Sequence, residues 1–197
     1  MEQAVTSTLA RMFLSVLIPS LARRADFLAR LLSVLQPQVV PGVEILIDID
    51  SGEKSIGEKR NRLIQRATGS HVAFVDDDDM VSPDYVQHLL DGAKRGVDVV
   101  SIRGEHTRNG QPWRKFIDEV GKPFSMTERD GMRTIFYGLQ HLDAIRRSIA
   151  EQFEFPPIRF GEDRHFALKI EQSGLVRTSW QVPTDVYVYQ FRTHKEA

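Results

Sequence analysis

Residues 71–79 read His-Val-Ala-Phe-Val-Asp-Asp-Asp-Asp, an apolar run that ends in four consecutive aspartates. A short, continuous apolar run is typical of a strand that is buried on both faces of a parallel sheet. Ligands bind at the carboxyl ends of the strands in open α/β sheets. In an extended chain the side chains of Asp76 and Asp78 point to the same side. The carboxylates therefore lie where such a sheet is expected to carry a binding site.

Carboxylates this close together repel each other unless a cation neutralises them or their pKa values rise. Oxygen ligands suit Mg²⁺ or Mn²⁺, and Mg²⁺ usually shares its coordination shell with waters and substrate phosphates. The alternative is a solvated acidic turn in which Asp79 helps to cap the next helix. The position directly after a buried strand favours a cation site.

Strand-length apolar runs alternate with helical patterns on both sides of this stretch. Further strands are predicted at 12–18, 43–49 and 97–102, with Pro19 ending the first of them and Gly69 capping a helix. This alternation predicts an α/β fold with a mostly parallel, Rossmann-like sheet flanked by helices. A chain of 197 residues without repeats or a linker predicts a single domain.

The pattern changes after residue 104. Residues 105–134 are polar, and Asn109-Gly110 predicts a hairpin turn. Helices are predicted around 139–152 and 162–173. The predicted organisation is a loose leader at residues 1–11 and two halves of one domain at 12–104 and 105–197.

The composition excludes several classes of protein. The chain has no cysteine, which excludes a disulfide scaffold, a Cys-ligated zinc site and thiol catalysis. With 26 Lys+Arg against 27 Asp+Glu, the net charge of −1 argues against a protein that coats DNA. A hydrophobic content of 41% with 27% charged residues is ordinary for a globular protein and argues against bulk disorder.

The sequence predicts no membrane span, because no run approaches the ~18 apolar residues that a span requires. Residues 12–18 imitate the core of a signal peptide. Glu2 and Arg23-Arg24 do not suit a leader and a cleavage site, so a buried strand explains the run better. We therefore expect a cytoplasmic protein.

Three more groups of charged residues fall at the ends of predicted elements. Asp48 and Asp50 end the preceding strand, where they suit either contact with a base or ribose or a simple turn. Residues 57–62 place basic side chains at a helix start, which suits either an anion or a solvated helix face. Glu162 and Asp163 open another helix, where they either complement its dipole or present a general base.

In their order and separation these features resemble the family-2 glycosyltransferases of the GT-A fold, which use nucleotide sugars. Residues 13–20 look like the family's opening strand, and 57–61 are similar to its Gly-x-x-x-Arg-Asn element. Residues 75–79 resemble the Leu-Asp-x-Asp-Asp signature. The late Glu-Asp pair matches 161–163, and the Tyr-Arg-x-His ending looks like 191–194.

The resemblance implies a role for each matching residue. Asp78 and His194 are implied to hold a divalent cation, Mn²⁺ or Mg²⁺. Asp163 is implied to be the catalytic base, with Glu162 beside it. The residues implied to bind the nucleotide sugar are Pro19, Ser20, Asp48, Asp50, Arg60, Asp76 and Asp77.

The activity implied by the resemblance is transfer of a sugar from a nucleoside-diphosphate sugar to an acceptor hydroxyl with inversion. Residues 12–104 are implied to bind the donor, and residues 105–197 to bind the acceptor and carry the catalytic residues. Within the second half, Trp113 is either a stacking platform for the acceptor or a core anchor. An acceptor glycan, a lipid-linked sugar and a modified nucleic acid all remain open.

Two other functions stay open from the sequence. A sugar-phosphate nucleotidyltransferase would share the fold, but it normally carries a Gly-rich phosphate loop where this chain has Pro19-Ser20-Leu21-Ala22. A non-catalytic protein that binds nucleotide sugars, or serves as a scaffold, would keep the donor site without needing Asp163. Substitution of Asp163 therefore distinguishes it from an enzyme.

Overall fold

The computed structural model of the chain describes residues 12–158 and 160–192. The predicted leader at residues 1–11 and the predicted metal ligand His194 lie outside these ranges. In chain order the strands are Leu14–Leu21 (β1), Val43–Asp50 (β2), His71–Phe74 (β3), Met80–Val81 (β4), Val99–Ser101 (β5), Arg103–Arg108 (β6), Gln111–Asp118 (β7), Ser125–Arg129 (β8), Met132–Tyr137 (β9), Ala144–Arg146 (β10), Ser179–Gln181 (β11) and Tyr187–Phe191 (β12). The α-helices are Ala25–Leu35 (α1), Ile56–Arg66 (α2), Tyr85–Arg95 (α3), Arg147–Ala150 (α4) and Glu162–Ser173 (α5).

The first sheet has six strands in the order β11-β5-β10-β3-β1-β2. The central strand β1 pairs in parallel with β2 and β3, and β11 is parallel to β5. Only β10 runs antiparallel to its two neighbours. The predicted α/β fold with a mostly parallel sheet is therefore confirmed.

Helices cover both faces of this sheet. Val16 faces a cluster that includes residues of α1 and α3, whereas Leu17 faces a cluster with residues of α2 and α5. Both side chains are fully buried, although they point to opposite faces. A strand enclosed in this way must be apolar at successive positions, which is why the pattern of β1 predicted its place in the sheet.

A second sheet of six strands has the order β4-β12-β6-β7-β9-β8, which the sequence did not predict. The hairpin predicted at Asn109-Gly110 is confirmed, since it joins the antiparallel strands β6 and β7. Both turn residues have positive φ, 51° and 79°, as a two-residue hairpin of the I′ type requires. Strands such as β8, which is exposed along its whole length, carry too little apolar periodicity to be detected from sequence.

Three local predictions were wrong for physical reasons. Pro19 lies inside β1, because β3 stops pairing at Leu17 and only β2 continues beside the proline. Gly69 does not cap α2; a Cβ there would come within 2.7 Å of the β1 backbone, so this glycine permits close approach. The helix predicted over 139–152 is replaced by β10 and the single turn α4, since 144–146 fill a position in the sheet.

Candidate active site

A cavity of about 470 Å³ opens at the carboxyl ends of β1 and β3. Its position follows from the parallel arrangement of the two strands, whose carboxyl ends meet at one edge of the sheet. The predicted site residues that line it are Pro19, Ser20, Arg60, Asp76, Asp77, Asp78, Glu162 and Asp163. Predicted site residues that are up to 144 positions apart in the chain are thus brought to one cavity.

The four aspartates that follow β3 form a turn in which each carboxylate has different surroundings. The backbone N–H of Asp79 donates to the carbonyl of Asp76 at 3.1 Å. The Asp77 carboxylate accepts from the Ser20 hydroxyl at 2.6 Å and from Arg24 at 2.8 Å. Asp79 is buried and accepts from the Tyr187 hydroxyl at 2.8 Å. Asp77 and Asp79 therefore anchor the turn, whereas Asp76 and Asp78 are partly exposed.

Asp78 is the candidate metal ligand within the turn. Its carboxylate lies 3.4 Å from Arg24 and 4.0 Å from Arg192, and its side chain is 30% exposed. Partial burial raises the pKa of Asp78; Arg24 opposes this effect, and the neighbouring Asp76 and Asp77 reinforce it. A divalent cation would relieve that repulsion.

The described residues contain no group of three or more His, Cys, Asp or Glu side chains arranged to hold a metal. Mg²⁺ is usually held by one or two carboxylates together with waters and substrate phosphates. A single partly exposed carboxylate, whose nearest cation is Arg24 at 3.4 Å, fits that kind of ion.

Arg60 connects the aspartate turn to α5. Its Nη1 donates to Glu162 at 2.6 Å, and its Nη2 donates to Asp76 at 2.9 Å. The guanidinium is buried and lies over the rings of Phe74 and Phe155, with its Cζ 5.8 and 5.4 Å from their centroids. Burial without these partners would be costly for a cation. The two carboxylates and the two rings therefore hold Arg60 in one position.

The electrostatics of Asp76 follow from this contact. Burial alone would raise the pKa of Asp76, but the charge of Arg60 and the interaction with His141 hold it well below its usual value. Asp76 is therefore a permanently charged carboxylate at neutral pH.

The start of α5 presents Glu162 and Asp163 in different ways. Gly161 precedes the helix with a φ of 80°, a left-handed conformation that favours glycine. Glu162 is buried and paired with Arg60, whereas the side chain of Asp163 is 40% exposed in the cavity. Both acids line the cavity, but Asp163 is the more exposed of the two and has no partner as close as Arg60 is to Glu162.

His141 is a site residue that sequence reasoning missed. Its Nδ1 lies 3.8 Å from the carboxylate of Asp163, and its Nε2 lies 3.9 Å from that of Asp76 and 3.2 Å from Arg60 Nη2. Among the described residues, the buried Nδ1 has no hydrogen-bond partner. A lone histidine in an irregular segment carries no motif, so no sequence signal distinguishes it. Arg24 was missed for the same reason.

Asp48 and Asp50 do not line the cavity. Asp50 accepts a 2.6 Å hydrogen bond from Lys59, which does line it. That hydrogen bond is the main reason why the pKa of Asp50 is lowered. Asp48 is buried, and its carboxylate lies 3.5 Å from Arg62.

A second cavity, of about 380 Å³, adjoins the first. Three residues, His141, Asp163 and Tyr189, line both cavities. Most of its other walls come from the second sheet and include Trp113, which is 39% exposed. The Arg114 guanidinium lies 4.1 Å from the centroid of the Trp113 ring. Asp163 therefore stands where a polar cavity and an aromatic cavity meet.

Comparison with known proteins assigns this arrangement to a family. The sequence model of the family described as "Glycosyl transferase family 2" matches residues 45–153, which is more than half of the chain. The chain belongs to glycosyl transferase family 2. The matched residues contain the aspartate turn, Arg60 and His141 but end before Asp163. The place of Asp163 in this family 2 site therefore rests on the geometry described above.

Solved structures of S. aureus TarS are similar to this family 2 domain. Residues 1–349 of TarS in complex with UDP superpose with a TM-score of 0.64 at 18% identity, covering 91% of this chain and 60% of that one. The same fragment in complex with UDP-GlcNAc gives a TM-score of 0.63 at 18% identity, covering 93% and 60%. Identity this low supports the fold alone, and the chain spans only 60% of the TarS fragment.

No curated protein matches the family 2 chain. Within residues 12–158 and 160–192, none of the helices is both long and apolar enough to cross a membrane.

Proposed function

We propose that this family 2 glycosyltransferase moves a sugar from a nucleoside-diphosphate sugar to an acceptor hydroxyl, with inversion at the anomeric carbon. The observation that carries the proposal is the position of Asp163, a partly exposed carboxylate between two adjoining cavities. A base at such a boundary can receive a proton from an acceptor in one cavity while the sugar donor occupies the other.

The polar cavity is the proposed donor site. Cationic groups of Arg24, Lys59 and Arg60 line it and suit a diphosphate. The structures of TarS with UDP and UDP-GlcNAc support a donor of this class. Pro19 and Ser20 form its wall at the end of β1. Asp50 takes part by holding Lys59. Asp48 or Asp50 is proposed to contact the nucleobase from beside this cavity.

Asp78, together with His194, is proposed to hold Mn²⁺ or Mg²⁺. When bound, such an ion stabilises the negative charge that develops on a departing diphosphate. Asp77 keeps the turn in place through Ser20 and Arg24. Asp76 and Glu162 fix the buried Arg60 guanidinium at the cavity wall, where its positive charge is partly balanced by both carboxylates.

Asp163 is the proposed general base. As the acceptor oxygen attacks the anomeric carbon, its proton moves to the Asp163 carboxylate, and the bond between the sugar and the diphosphate breaks. Attack on the face opposite the leaving group inverts the anomeric centre. His141, 3.8 Å from the carboxylate, is proposed to orient Asp163. A positioned base of this kind contributes about 10²–10⁴-fold to the rate.

The proposal assigns a function to each of the two predicted halves. Residues 12–104 supply most of the donor cavity, and residues 105–197 supply the second cavity and Asp163. We propose that the second cavity receives the acceptor, which is a glycan, a lipid-linked sugar or a modified nucleic acid.

A donor screen by thermal shift tests the donor site first. UDP, GDP, CDP and dTDP sugars are compared with and without Mn²⁺, because a ligand that binds the native state raises its stability by mass action. We expect a metal-dependent shift with one nucleotide. A folded, metal-replete sample that responds to no nucleotide would refute the proposed donor site.

Asp163→Asn tests the catalytic role. We expect the rate of UDP release from UDP-GlcNAc, with a glycan panel as acceptors, to fall about 10²–10⁴-fold while donor affinity stays unchanged. Asp26→Asn is the matched control, since Asp26 is an exposed acid in the first turn of α1. Unchanged turnover in Asp163→Asn would remove it from the role of base, and binding without turnover in the wild type would favour a non-catalytic protein.

A further inference from the structure

The turn that carries His141 is closed by a buried carboxylate that the proposed mechanism does not use. His141 belongs to the segment 138–143, which leaves β9 in the second sheet and enters β10 in the first. The backbone N–H of Asp143 donates to the carbonyl of Gln140 at 3.3 Å, and the Asp143 carboxylate accepts the N–H of Gln140 at 2.9 Å. These two hydrogen bonds close the turn around His141.

The same carboxylate fastens the turn to the junction of the two sheets. Its other oxygen accepts the N–H of Ile102, the residue between β5 and β6, at 2.9 Å. The carbonyl of Ile102 in turn accepts the N–H of Asp118, the last residue of β7, at 3.0 Å. Asp143 and Asp118 have no exposed surface. Buried backbone N–H groups outside a regular ladder need partners of this kind, and Asp143 supplies two of them.

Asp118 supports Asp143 as a hydrogen-bond donor. Burial and the neighbouring Asp143 raise the pKa of Asp118 well above its usual value, so Asp118 keeps its proton and donates it in a hydrogen bond to Asp143. Burial also raises the pKa of Asp143, but the N–H groups of Gln140 and Ile102 oppose this effect and favour the charged form. Asp143 is therefore an acceptor for three donors from three parts of the chain.

The ring of His141 has few contacts of its own that would hold it in place. It lies 3.8 Å from the carboxylate of Asp163 and 3.9 Å from that of Asp76, and both distances are too long for a hydrogen bond. Its closest polar contact is the 3.2 Å approach of Nε2 to Arg60 Nη2. The position of the ring between the two carboxylates therefore depends on the backbone turn that carries it.

We propose that Asp143 is a positioning residue for glycosyl transfer, which holds the turn that keeps His141 beside Asp163, with Asp118 as its hydrogen-bond donor. The inference rests on the proposed function, in which His141 orients Asp163. Asp143 lines neither of the two cavities, so it acts on the site through the turn and not by touching a substrate.

The first experiment needs no turnover. NMR spectra of histidine-labelled protein record the ring signals of the wild type and of Asp143→Asn, with His141→Ala to assign the signal of His141. Asparagine accepts one of the two N–H groups but turns its own N–H toward the other, which opens the turn. We expect the His141 signal to shift or broaden while that of His88, which pairs with Asp84 on α3, stays in place.

Asp130→Asn is the matched control, since Asp130 is 93% exposed in the turn between β8 and β9 and asparagine tolerates its φ of 52°. This variant should leave the His141 signal unchanged. A His141 signal that is equally unchanged in Asp143→Asn would overturn the inference.

The second experiment tests whether the effect of Asp143 on turnover passes through His141. Asp143→Asn should lower kcat for UDP release from UDP-GlcNAc about 10–100-fold, because displacement of a positioned group by about 1 Å has an effect of that size, and UDP affinity should stay unchanged. In a His141→Ala background the same substitution should lower kcat less than about threefold, since both changes remove one interaction. Losses that simply add would overturn the positioning role and show a general effect on the fold.

Two substitutions test Asp118. Asparagine keeps an N–H donor toward Asp143, whereas alanine removes it, so Asp118→Asn should retain about tenfold more turnover than Asp118→Ala. Equal turnover of the two variants would remove Asp118 from the arrangement. If Asp143→Asn does not fold, Asp118→Ala replaces it in the NMR experiment, and an unmoved His141 signal there would overturn the inference.

Failure of this inference is distinguishable from failure of the proposed function. Unchanged turnover in Asp163→Asn would refute the proposed base. An unmoved His141 signal in Asp143→Asn would refute the anchor and leave the base in place.

Discussion

Replacing Arg60 by methionine removes the cation that joins the aspartate turn to α5. Methionine keeps most of the side-chain volume, so the contacts with Phe74 and Phe155 largely remain. What is lost is the 2.6 Å contact with Glu162 and the 2.9 Å contact with Asp76. Both acids then remain in the structure without their main partner.

The expected loss in the free energy of unfolding follows from the burial of the ion pair. The side chains of Arg60 and Glu162 are only 4% and 9% exposed, so solvent screens their pairing weakly. Removing one partner of a buried ion pair costs about 3–5 kcal/mol, because it leaves an uncompensated charge. With a urea m-value of about 2 kcal/mol/M, the denaturation midpoint should fall by about 1.5–2.5 M.

The pH dependence gives a second readout. In the wild type, Arg60 and His141 overcome the effect of burial and lower the pKa of Asp76, which stabilises the fold above the ordinary carboxyl pKa. That stabilisation is lost as the pH falls toward the lowered value. In Arg60→Met the effect of burial is less opposed and the pKa of Asp76 rises. The deficit relative to the wild type should therefore grow between about pH 4 and pH 7.

Urea denaturation of both proteins across this pH range is the assay. Arg66→Met, an exposed change in the same helix, is the control and should cost less than about 1 kcal/mol. A loss in Arg60→Met no larger than that of the control, at every pH, would refute the view that a buried ion pair joins the two elements.

Three further predictions concern other parts of the molecule. His141→Ala should lower kcat about 10²-fold with donor affinity unchanged, because Asp163 loses its neighbour; steady-state kinetics with calorimetry of UDP binding checks this, and a parallel loss of affinity would contradict it. Gly69→Ala should destabilise the fold by about 1–3 kcal/mol, since its Cβ would lie 2.7 Å from the backbone of β1; an unchanged melting temperature would show that the chain relaxes freely. Asp78→Asn should abolish the part of the UDP-sugar thermal shift that chelation by EDTA removes from the wild type, and a shift that still responds to EDTA would place the ion on other residues.

Much of the first sheet was predictable because its strands are buried on both faces. Such strands must be apolar at successive positions, as in residues 71–75, and helices must cover them. Apart from its hairpin at Asn109-Gly110, the second sheet was not assembled from the sequence, for the opposite reason. Its strands are short or exposed, as β8 is, and their pairing depends on distant partners such as β12 beside β6.

The residues of the candidate site also fall into two groups, those that the sequence predicted and those that it did not. Asp76, Asp78 and Asp163 were found because each falls at a strand end or a helix start, positions that local sequence marks. His141 carries no such mark. It is a candidate only because of what the fold places around it, the carboxylates of Asp76 and Asp163.

The sequence by itself determined the α/β class, the hairpin at Asn109-Gly110 and the set of acidic residues at element ends, since these depend on residue types at short spacing. Only the tertiary structure decided which acids are anchored, which are exposed and which face each other across two cavities. Burial and charge pairing between residues far apart in the chain are properties of the packed molecule. Arg60 shows this most clearly, because its partner Glu162 lies 102 positions away.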